Sequence, residues 1–205
     1  MGQYYRAMVK KQNGRIVVYN RDVIRDGKPQ YMVAKLTEHS WWLNDFVNAV
    51  CLDLYNSKET RRIAWIGDYA STYLDCNDLK QFNGLNKQKI NRMTKRCWDC
   101  KGIAVPATDF TLDGLFLVNH TKKRYIDCSE YYKHNVTSDE WCIHPLPILT
   151  CIGNGLGGGD FNSPTDDSTE DYIGAWTWDE ISIADKSTNG YIEIAPVFKE
   201  KGWDD

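Results

Sequence analysis

A glycine-rich loop is one stretch of the sequence whose residue types could do chemistry. Residues 144–160 read HPLPILTCIGNGLGGGD, in which an apolar segment leads into five glycines within residues 153–159 and then into Asp160. The spacing matches G-x-G-x-x-G, the pattern with which dinucleotide-binding folds hold a pyrophosphate at the start of a helix. The chain after the loop, DFNSPTDD, neither begins a helix nor attracts a phosphate, so we expect neither a dinucleotide site nor a P-loop.

Two interpretations of this loop stay open. In the structural one, the glycines adopt conformations with positive φ and let another chain segment approach closely. In the functional one, exposed N–H groups form a nest that binds an anion beside an acidic residue in a polar pocket. The residues of that ligand-binding nest would be Gly153, Asn154, Gly155, Gly157, Gly158, Gly159 and Asp160.

A second candidate is the segment CWDC, in which Cys97 and Cys100 have the spacing of a zinc knuckle or a redox motif. Zinc needs two further ligands, and the sequence holds no second C-x-x-C. Cys128, Cys142 and His144 could complete a tetrahedral site if the fold gathers them, but their spacing is irregular. We therefore expect no cofactor and no metal, and zinc at these residues is the alternative that stays open.

Single histidines and aspartates at the ends of apolar segments are candidates for acid–base catalysis, which uses a histidine close to a carboxylate. The structural alternative is that they are ordinary turn and cap residues. Motifs of known nucleophiles, such as G-x-S-x-G and H-E-x-x-H, are absent from the sequence. The candidate catalytic residues are Asp68, His120, His144, Asp160 and Asp179.

The elements that must position these residues begin with a hairpin. The segment YYRAMVKKQNGRIVVYN predicts two strands around Asn13-Gly14, a pair of residues that favours a tight hairpin turn. Apolar residues then recur at helical spacing, which predicts a helix over 41–57 with Ser40 as its N-cap. A short apolar strand follows at 63–66.

The second half of the sequence predicts further strands. Residues 114–120 and 124–129 indicate a hairpin, and residues 147–152 indicate a strand that enters the glycine-rich loop. The segments YIGAWTWDEISIAD and GYIEIAPVF supply the last two strands. We therefore predict one α+β domain over 1–205, with a single mostly antiparallel, twisted sheet, one firm helix and long surface excursions.

Two of these excursions differ in charge. Residues 78–101 include five cations between Lys87 and Arg96, and predict a basic helical insertion. Residues 160–172 carry five acids and no base, and predict an acidic surface loop. The net charge of the whole chain is −3, which gives no overall basic field, so we do not expect nucleic acid as a direct partner.

The cellular location can also be predicted from composition. No run of eighteen apolar residues occurs, and the start MGQYYRAMVKKQNG lacks the apolar segment of a signal peptide. The seven cysteines are an odd number at irregular spacing, which favours a reducing compartment. We expect a cytoplasmic protein without a membrane partner.

Several stretches, taken together, resemble an uncharacterised family of bacterial and phage-encoded proteins. They are MGQYY at the start, EHSWW…FVNAV (38–50), WIGDYA (65–70), LVNHTKKRYID (117–127), HPLPILTCIGNGLGGGD (144–160) and GAWTWDEISI (174–183). The family brings no assigned activity, so the resemblance implies no catalytic residues. It implies a cytosolic protein that is often carried by mobile elements and that acts on the host.

The sequence therefore favours a soluble cytosolic binding protein whose partner is a host protein or a small anionic ligand. In a phage, the concrete hypothesis is a protein that acts on a host defence component. The alternative is an enzyme of unrecognised class, a hydrolase or a transferase, with its site around loop 153–160. An enzyme would gather the candidate residues in one concave site, whereas a binding protein would show an exposed aromatic or apolar patch.

Overall fold

The computed structural model describes residues 2–31, 35–72, 84–162 and 172–198. The predicted basic insertion and acidic loop lie partly outside these ranges, at 78–83 and 163–171. Within the described ranges, the elements in chain order are β1 (Tyr5–Lys10), β2 (Ile16–Arg25), β3 (Lys28–Tyr31), α1 (Asp45–Ser57), β4 (Arg61–Gly67), α2 (Lys87–Asp99), β5 (Ile103–Pro106), β6 (Phe116–Asn119), β7 (Arg124–Asp127), α3 (Cys128–Asn135), α4 (Pro145–Thr150), β8 (Cys151–Ile152), β9 (Glu180–Ala184) and β10 (Ile192–Glu193).

The strands form one sheet, which confirms the α+β class. Its order is β10-β7-β6-β9-β4-β1-β2-β3, and β5 and β8 pair with β2 and β4. Among the described strands six pairings are antiparallel and three are parallel, so the sheet is mixed. The expectation of a mostly antiparallel sheet is therefore only partly confirmed. The parallel partners β5, β8 and β10 return to the sheet after long connections, which hairpin signals in a sequence do not reveal.

Both predicted hairpins are confirmed. Strands β1 and β2 pair antiparallel, with Met8 opposite Val18, and the turn between them contains Gly14 at φ 81°. Strands β6 and β7 pair antiparallel, with Phe116 opposite Asp127. Local turn chemistry therefore sets the register of these two pairs.

Helix α1 is present, but it begins four residues later than predicted, and its N-cap is Asn44 instead of Ser40. The Asn44 side-chain oxygen accepts hydrogen bonds from the N–H groups of Phe46 and Val47, each at 3.0 Å. Asparagine and serine are both good N-caps, so composition alone did not distinguish the two positions.

The expectation of one firm helix is wrong, because α2, α3 and α4 are also helical. Helix α4 takes most of the predicted strand 147–152, and only Cys151–Ile152 pairs as a strand. His144 is the N-cap of α4 and Pro145 is in its first turn, where the fixed φ of proline favours a helix. Among the described helices, none is long and apolar enough to cross a membrane.

Alternating side chains of β4 serve two cores. Trp65 points to the larger core, which α1, α3 and α4 cover. Ala64 and Ile66 point to the opposite face, where they pack against Ile90 and Met93 of α2. This alternation follows from the two-residue period of a strand. We call the sheet face covered by α2 the α2 face.

Helix α2 explains the basic stretch of the sequence. Its N-cap Asn86 accepts a hydrogen bond from the Lys89 N–H at 2.9 Å, and Ile90, Met93 and Cys97 are buried on one side. That this helix is an insertion stays a prediction. Its exposed cations are Lys87, Arg92, Lys95 and Arg96.

Candidate functional site

The glycine-rich loop folds around the carboxylate of Asp160, which is 2% exposed. Its Oδ2 accepts hydrogen bonds from the N–H groups of Leu156 and Gly157, both at 2.9 Å. The same oxygen accepts from Gln3 Nε2 at 2.8 Å, and Oδ1 accepts from the Tyr5 hydroxyl at 2.8 Å. The N–H group of Gly157, which belongs to the predicted nest, and that of its neighbour Leu156 are therefore already occupied by an anion of the chain itself.

Gln3 fixes the loop against the start of β1. Its Nε2 donates to the Gly153 carbonyl at 2.5 Å, and its Oε1 accepts from the Tyr69 N–H at 3.1 Å. A Cβ on Gly157 would lie 2.6 Å from the Gln3 nitrogen, and a Cβ on Gly67 would lie 2.2 Å from Gln3 Oε1. Glycine at these two positions allows the close approach of Gln3.

The protonation states fit this hydrogen-bond network. Burial raises the pKa of Asp160, while the hydrogen bonds from Tyr5, Gly157 and Gln3 lower it. Burial also raises the pKa of Tyr5 well above its usual value, so the hydroxyl keeps its proton and donates it. These contacts account for the loop geometry without a ligand, and ligand binding by residues 153–160 stays a prediction.

The five candidate catalytic residues lie at three separate places. Asp68 and Asp160 are near the first residues of β1, where Tyr4 and Tyr5 bind them. His144 caps α4. Asp179 and His120 lie next to the start of β9.

The first and last of these places are at opposite ends of β4. Gly67 of β4 pairs with Tyr5, and Arg62 of β4 pairs with Glu180 of β9. Five residues of strand, about 17 Å at about 3.3 Å per residue, separate Gly67 from Arg62. These residues therefore do not form the one concave site that an enzyme at loop 153–160 would need.

His144 has a structural environment. Its Nδ1 accepts a hydrogen bond from the Leu146 N–H at 3.2 Å, and its Nε2 lies 3.6 Å from Cys51 Sγ. The ring is fully buried and packs beside Trp42, with ring centroids 5.8 Å apart. Burial lowers the pKa of His144 to about 3, so the imidazole is neutral at neutral pH. Proton exchange with a substrate would need a histidine that solvent or substrate reaches.

The candidate metal ligands have separate contacts. Cys97 is on the buried side of α2, where burial raises its pKa to about 12, and Cys100 Sγ donates to the Cys97 carbonyl at 3.6 Å. Cys142 Sγ donates to the Ile143 carbonyl at 3.6 Å. In the part of the chain that the structure describes, no three His, Cys, Asp or Glu side chains are grouped so that they could hold a metal ion.

Backbone strain marks the residue before Asp179. Trp178 has φ 63°, in the left-handed region that bulky residues rarely adopt. Its carbonyl accepts a hydrogen bond from the Arg62 guanidinium at 3.3 Å. The buried Asp179 carboxylate accepts from Asn119 Nδ2 at 2.8 Å and lies 3.6 Å from Lys122 Nζ. Strained backbone of this kind is concentrated at functional sites, which directs attention to the start of β9.

A row of ionisable side chains crosses four strands at this point. Lys10 of β1 lies opposite Arg62 of β4, and Arg62 lies opposite Glu180 of β9. The register of β6 and β9 continues to His120, whose N–H donates to the Glu180 carbonyl at 2.8 Å. Residues directly opposite each other share a face, so we call Lys10, Arg62, Glu180 and His120 the polar row of the α2 face.

One end of the polar row is strongly cationic. Arg62 binds Glu180 at 2.9 Å, and Glu180 is one acid beside the bases Lys10, Lys11 and Arg62. Burial lowers the pKa of Lys89 on α2, and the positive charges of Arg62 and Lys10 lower it further. A cavity of about 250 Å³, which we call the basic cleft, is lined by Lys10, Lys11, Gln12, Thr60, Arg62 and Glu180.

The other end of the polar row is His120. Its Nε2 lies 2.8 Å from Ser182 Oγ, and its Nδ1 lies 3.3 Å from the Tyr191 hydroxyl. Burial lowers the pKa of His120, and the Glu180 carboxylate opposes that shift. The imidazole is therefore neutral at neutral pH and gains a charge only in more acidic solution.

Sequence reasoning identified His120 of this row and missed Lys10, Arg62 and Glu180. The cations of α2 were visible as a cluster, but their counterparts belong to β1 and β4, which lie far away in the sequence. Alternation along β1 and β4 was the one available signal, because Lys10 and Arg62 interrupt the apolar positions of the α2 face.

No family model, curated protein or solved structure matches this chain. The resemblance to a family of bacterial and phage-encoded proteins therefore stays a prediction.

Proposed function

We propose that this protein is a binding protein that takes a small anionic ligand in the basic cleft. The observation that carries the proposal is the pairing of Lys10 with Arg62 in the antiparallel ladder. Like charges directly opposite each other destabilise a sheet, and Lys89 brings a third cation towards the same point. An anion in the basic cleft would attract these cations and so offset their mutual repulsion.

The donors of the basic cleft suit an oxyanion. Arg62 offers a planar guanidinium that can contact two oxygens, and the lysines are point charges that adapt to a third. Arg62 is also held from two sides, by the Glu180 carboxylate and by the Trp178 carbonyl. A donor that is fixed before binding loses less conformational entropy when the ligand arrives.

Calorimetric titration with sodium sulfate, with sodium chloride at equal ionic strength as the reference, tests the proposal. We expect saturable sulfate binding and a loss of about tenfold in affinity for each of Lys10→Gln and Lys11→Gln, because both lysines line the cleft and a hydrogen bond to a charged group contributes about 1.5–3 kcal/mol. Lys133→Gln is the matched control, since Lys133 pairs with Glu130 on α3. Equal affinity of all three variants, or no saturable binding, would contradict the proposal.

A protein partner is the second candidate, and the exposed side chain of Leu43 favours it; we call the surface around it the Leu43 patch. Leu43 is 63% exposed, and it is close in sequence to Trp41, whose ring packs on Trp141 with centroids 5.3 Å apart. We propose that a host protein contacts this patch, and the hypothesis of a host defence component belongs to this candidate. Exposed aromatic and apolar groups of this kind are common at the centres of protein interfaces.

Affinity capture from bacterial cells, followed by mass spectrometry, tests this second candidate. We expect Leu43→Asp to abolish capture of a specific protein that the wild-type chain retains. Ile192→Asp is the control, because Ile192 is equally exposed, at 65%, on β10. Capture that is unaffected by Leu43→Asp would show that the patch is not the interface.

A further inference from the structure

We infer that the ligand of the basic cleft is a small hydroxylated oxyanion of the sugar-phosphate class, and that Glu180 selects it. This inference rests on the proposed anion binding and specifies the ligand of the same site. It depends on the polar groups that line the cleft beside its cations.

Glu180 is the first of these groups. Among the described residues that line the basic cleft, it is the one acid, and its Oε1 accepts from Arg62 at 2.9 Å. A carboxylate beside a bound anion weakens binding by repulsion unless the ligand donates a hydrogen bond to it. A ligand hydroxyl can donate to the second carboxylate oxygen, whereas sulfate has no hydrogen to donate and the O–H of inorganic phosphate lies on the anion itself, at the cationic end of the cleft.

The neutral lining has the same preference. Gln12 and Thr60 line the cleft, and Gln12 Nε2 donates to Thr60 Oγ1 at a long 3.4 Å. An amide and a hydroxyl exchange hydrogen bonds readily with the hydroxyls of a ligand. All six lining residues are polar, and polar atoms make up most of the surface that the cleft exposes, so the cleft favours a polar ligand.

The dimensions of the cleft limit the ligand. Its volume of about 250 Å³ lies below the range of about 300–1,000 Å³ that is usual for drug-sized ligands. Neighbouring strands are about 4.8 Å apart, so the cationic positions on β1 and β4 lie about 5–10 Å from the acidic position on β9. This span matches one phosphate joined to a short hydroxylated carbon chain.

The orientation of the ligand follows from the order of charges in the polar row. The phosphate would lie between Lys10 and Arg62, and the hydroxyls would point towards Glu180. Arg62 separates the two ends, because it lies between Lys10 and Glu180 in the sheet. The guanidinium can then bind the phosphate while it continues to hold the carboxylate.

The test compares three probes by calorimetric titration: inorganic phosphate, propyl phosphate and glycerol 3-phosphate. Propyl phosphate and glycerol 3-phosphate have the same chain length and differ by two hydroxyls. We expect the wild-type protein to bind glycerol 3-phosphate about tenfold more tightly than propyl phosphate, as one hydrogen bond to a charged group would give. This ratio should decrease in Glu180→Gln and fall to about one in Glu180→Ala.

The control variant is Glu193→Gln, which removes a carboxylate on β10 and should keep the wild-type ratio. A wild-type protein that binds inorganic phosphate but does not distinguish the two organic phosphates would overturn this inference and leave the proposed function intact. An unchanged ratio in Glu180→Ala would overturn it as well. Absence of binding for all three probes would overturn the proposed function itself.

Discussion

Lys10 and Arg62 lie directly opposite each other on β1 and β4, so two positive charges share one face of the sheet. Lys89 of α2 is close enough for both charges to lower its pKa. The fold therefore holds together three cations that repel one another when no anion is present. Groups of like charges that lower the stability of a fold are common at functional sites.

The first prediction concerns this repulsion. Lys89→Gln should raise the free energy of unfolding by a few tenths of a kcal/mol at low ionic strength, because it removes one of three like charges. Urea unfolding at pH 7 measures the effect. The gain should vanish in saturating sulfate, which stabilises the wild-type protein by binding to the folded state. If the Lys89→Gln variant has a lower free energy of unfolding than wild type at low salt, repulsion at Lys89 does not destabilise the fold.

The second prediction concerns the pH dependence of sulfate binding. Burial lowers the pKa of His120, which faces Glu180, Ser182 and Tyr191. As the pH falls below about 6.5, a charged His120 should offset part of the Glu180 charge, so that Arg62 attracts the anion more strongly while it still contacts Glu180. Sulfate affinity should therefore rise a few-fold between pH 7 and pH 5, a range in which sulfate itself keeps its charge.

The variant His120→Gln separates this effect from other titrations. Its sulfate affinity should change little over the same pH range, because the glutamine cannot gain a charge. Titration calorimetry at pH 5, 6 and 7 makes the comparison. An equally steep rise in both proteins would show that His120 does not control Arg62.

The third prediction concerns His144 and stability. Its pKa is about 3 in the folded protein and about 6.5 in an unfolded chain, so between these values the unfolded state binds one more proton. The stability contributed by the neutral imidazole is complete above about pH 6.5. It falls by up to about 1.4 kcal/mol per pH unit as the pH decreases towards 3.

The variant His144→Asn can still cap α4 but cannot titrate. Urea unfolding between pH 4.5 and pH 7 should give a shallower decrease in stability for this variant than for wild type. At pH 7 the variant should be less stable, by about 1–3 kcal/mol, because a smaller side chain leaves a cavity beside Trp42. Parallel curves for the two proteins would mean that His144 is not responsible for the pH dependence.

The fourth prediction compares two glycines of the same loop. A Cβ on Gly157 would lie 2.6 Å from the Gln3 backbone nitrogen, so Gly157→Ala should cost about 3 kcal/mol through overpacking. Gly155 has open space around it but a φ of 87°, so Gly155→Ala should cost about 1 kcal/mol through backbone strain. Urea unfolding of both variants gives the order, and a larger loss for Gly155→Ala would be evidence against the close approach of Gln3.

The sequence predicted the elements whose signals are local. Asn13-Gly14 indicated a hairpin, and β1 and β2 pair around it. The segment before the glycine-rich loop is short and apolar, which predicts a strand. Buried helices have the same pattern, so the prediction was wrong for most of this segment. Helix α4 forms there because His144, an unusual N-cap, accepts a hydrogen bond from its first turn. All six residues of α4 are also buried.

The site could be predicted much less well, for a physical reason. Lys10, Arg62 and Glu180 belong to three different strands and His120 follows a fourth, so only the register places their side chains side by side. Register is decided by how buried faces pack, so it is a property of the whole sheet. Asp160 could be recognised as important from its position after the glycines, but its buried partner Gln3 is 157 residues away.

Strand β4 pairs with β1 along one edge, and the pairing of its other edge has a consequence for the growing chain. That edge is completed by β8 at Trp65 and Ile66, by the Trp178 N–H at Ile63, and by β9 at Arg61 and Arg62. All three of these segments come after residue 150, so a nascent chain that stops earlier exposes an unpaired, apolar strand. Such an edge is a template for pairing with other chains. Incomplete translation products of this protein should therefore aggregate or require chaperones, whereas the finished chain protects β4 on both sides.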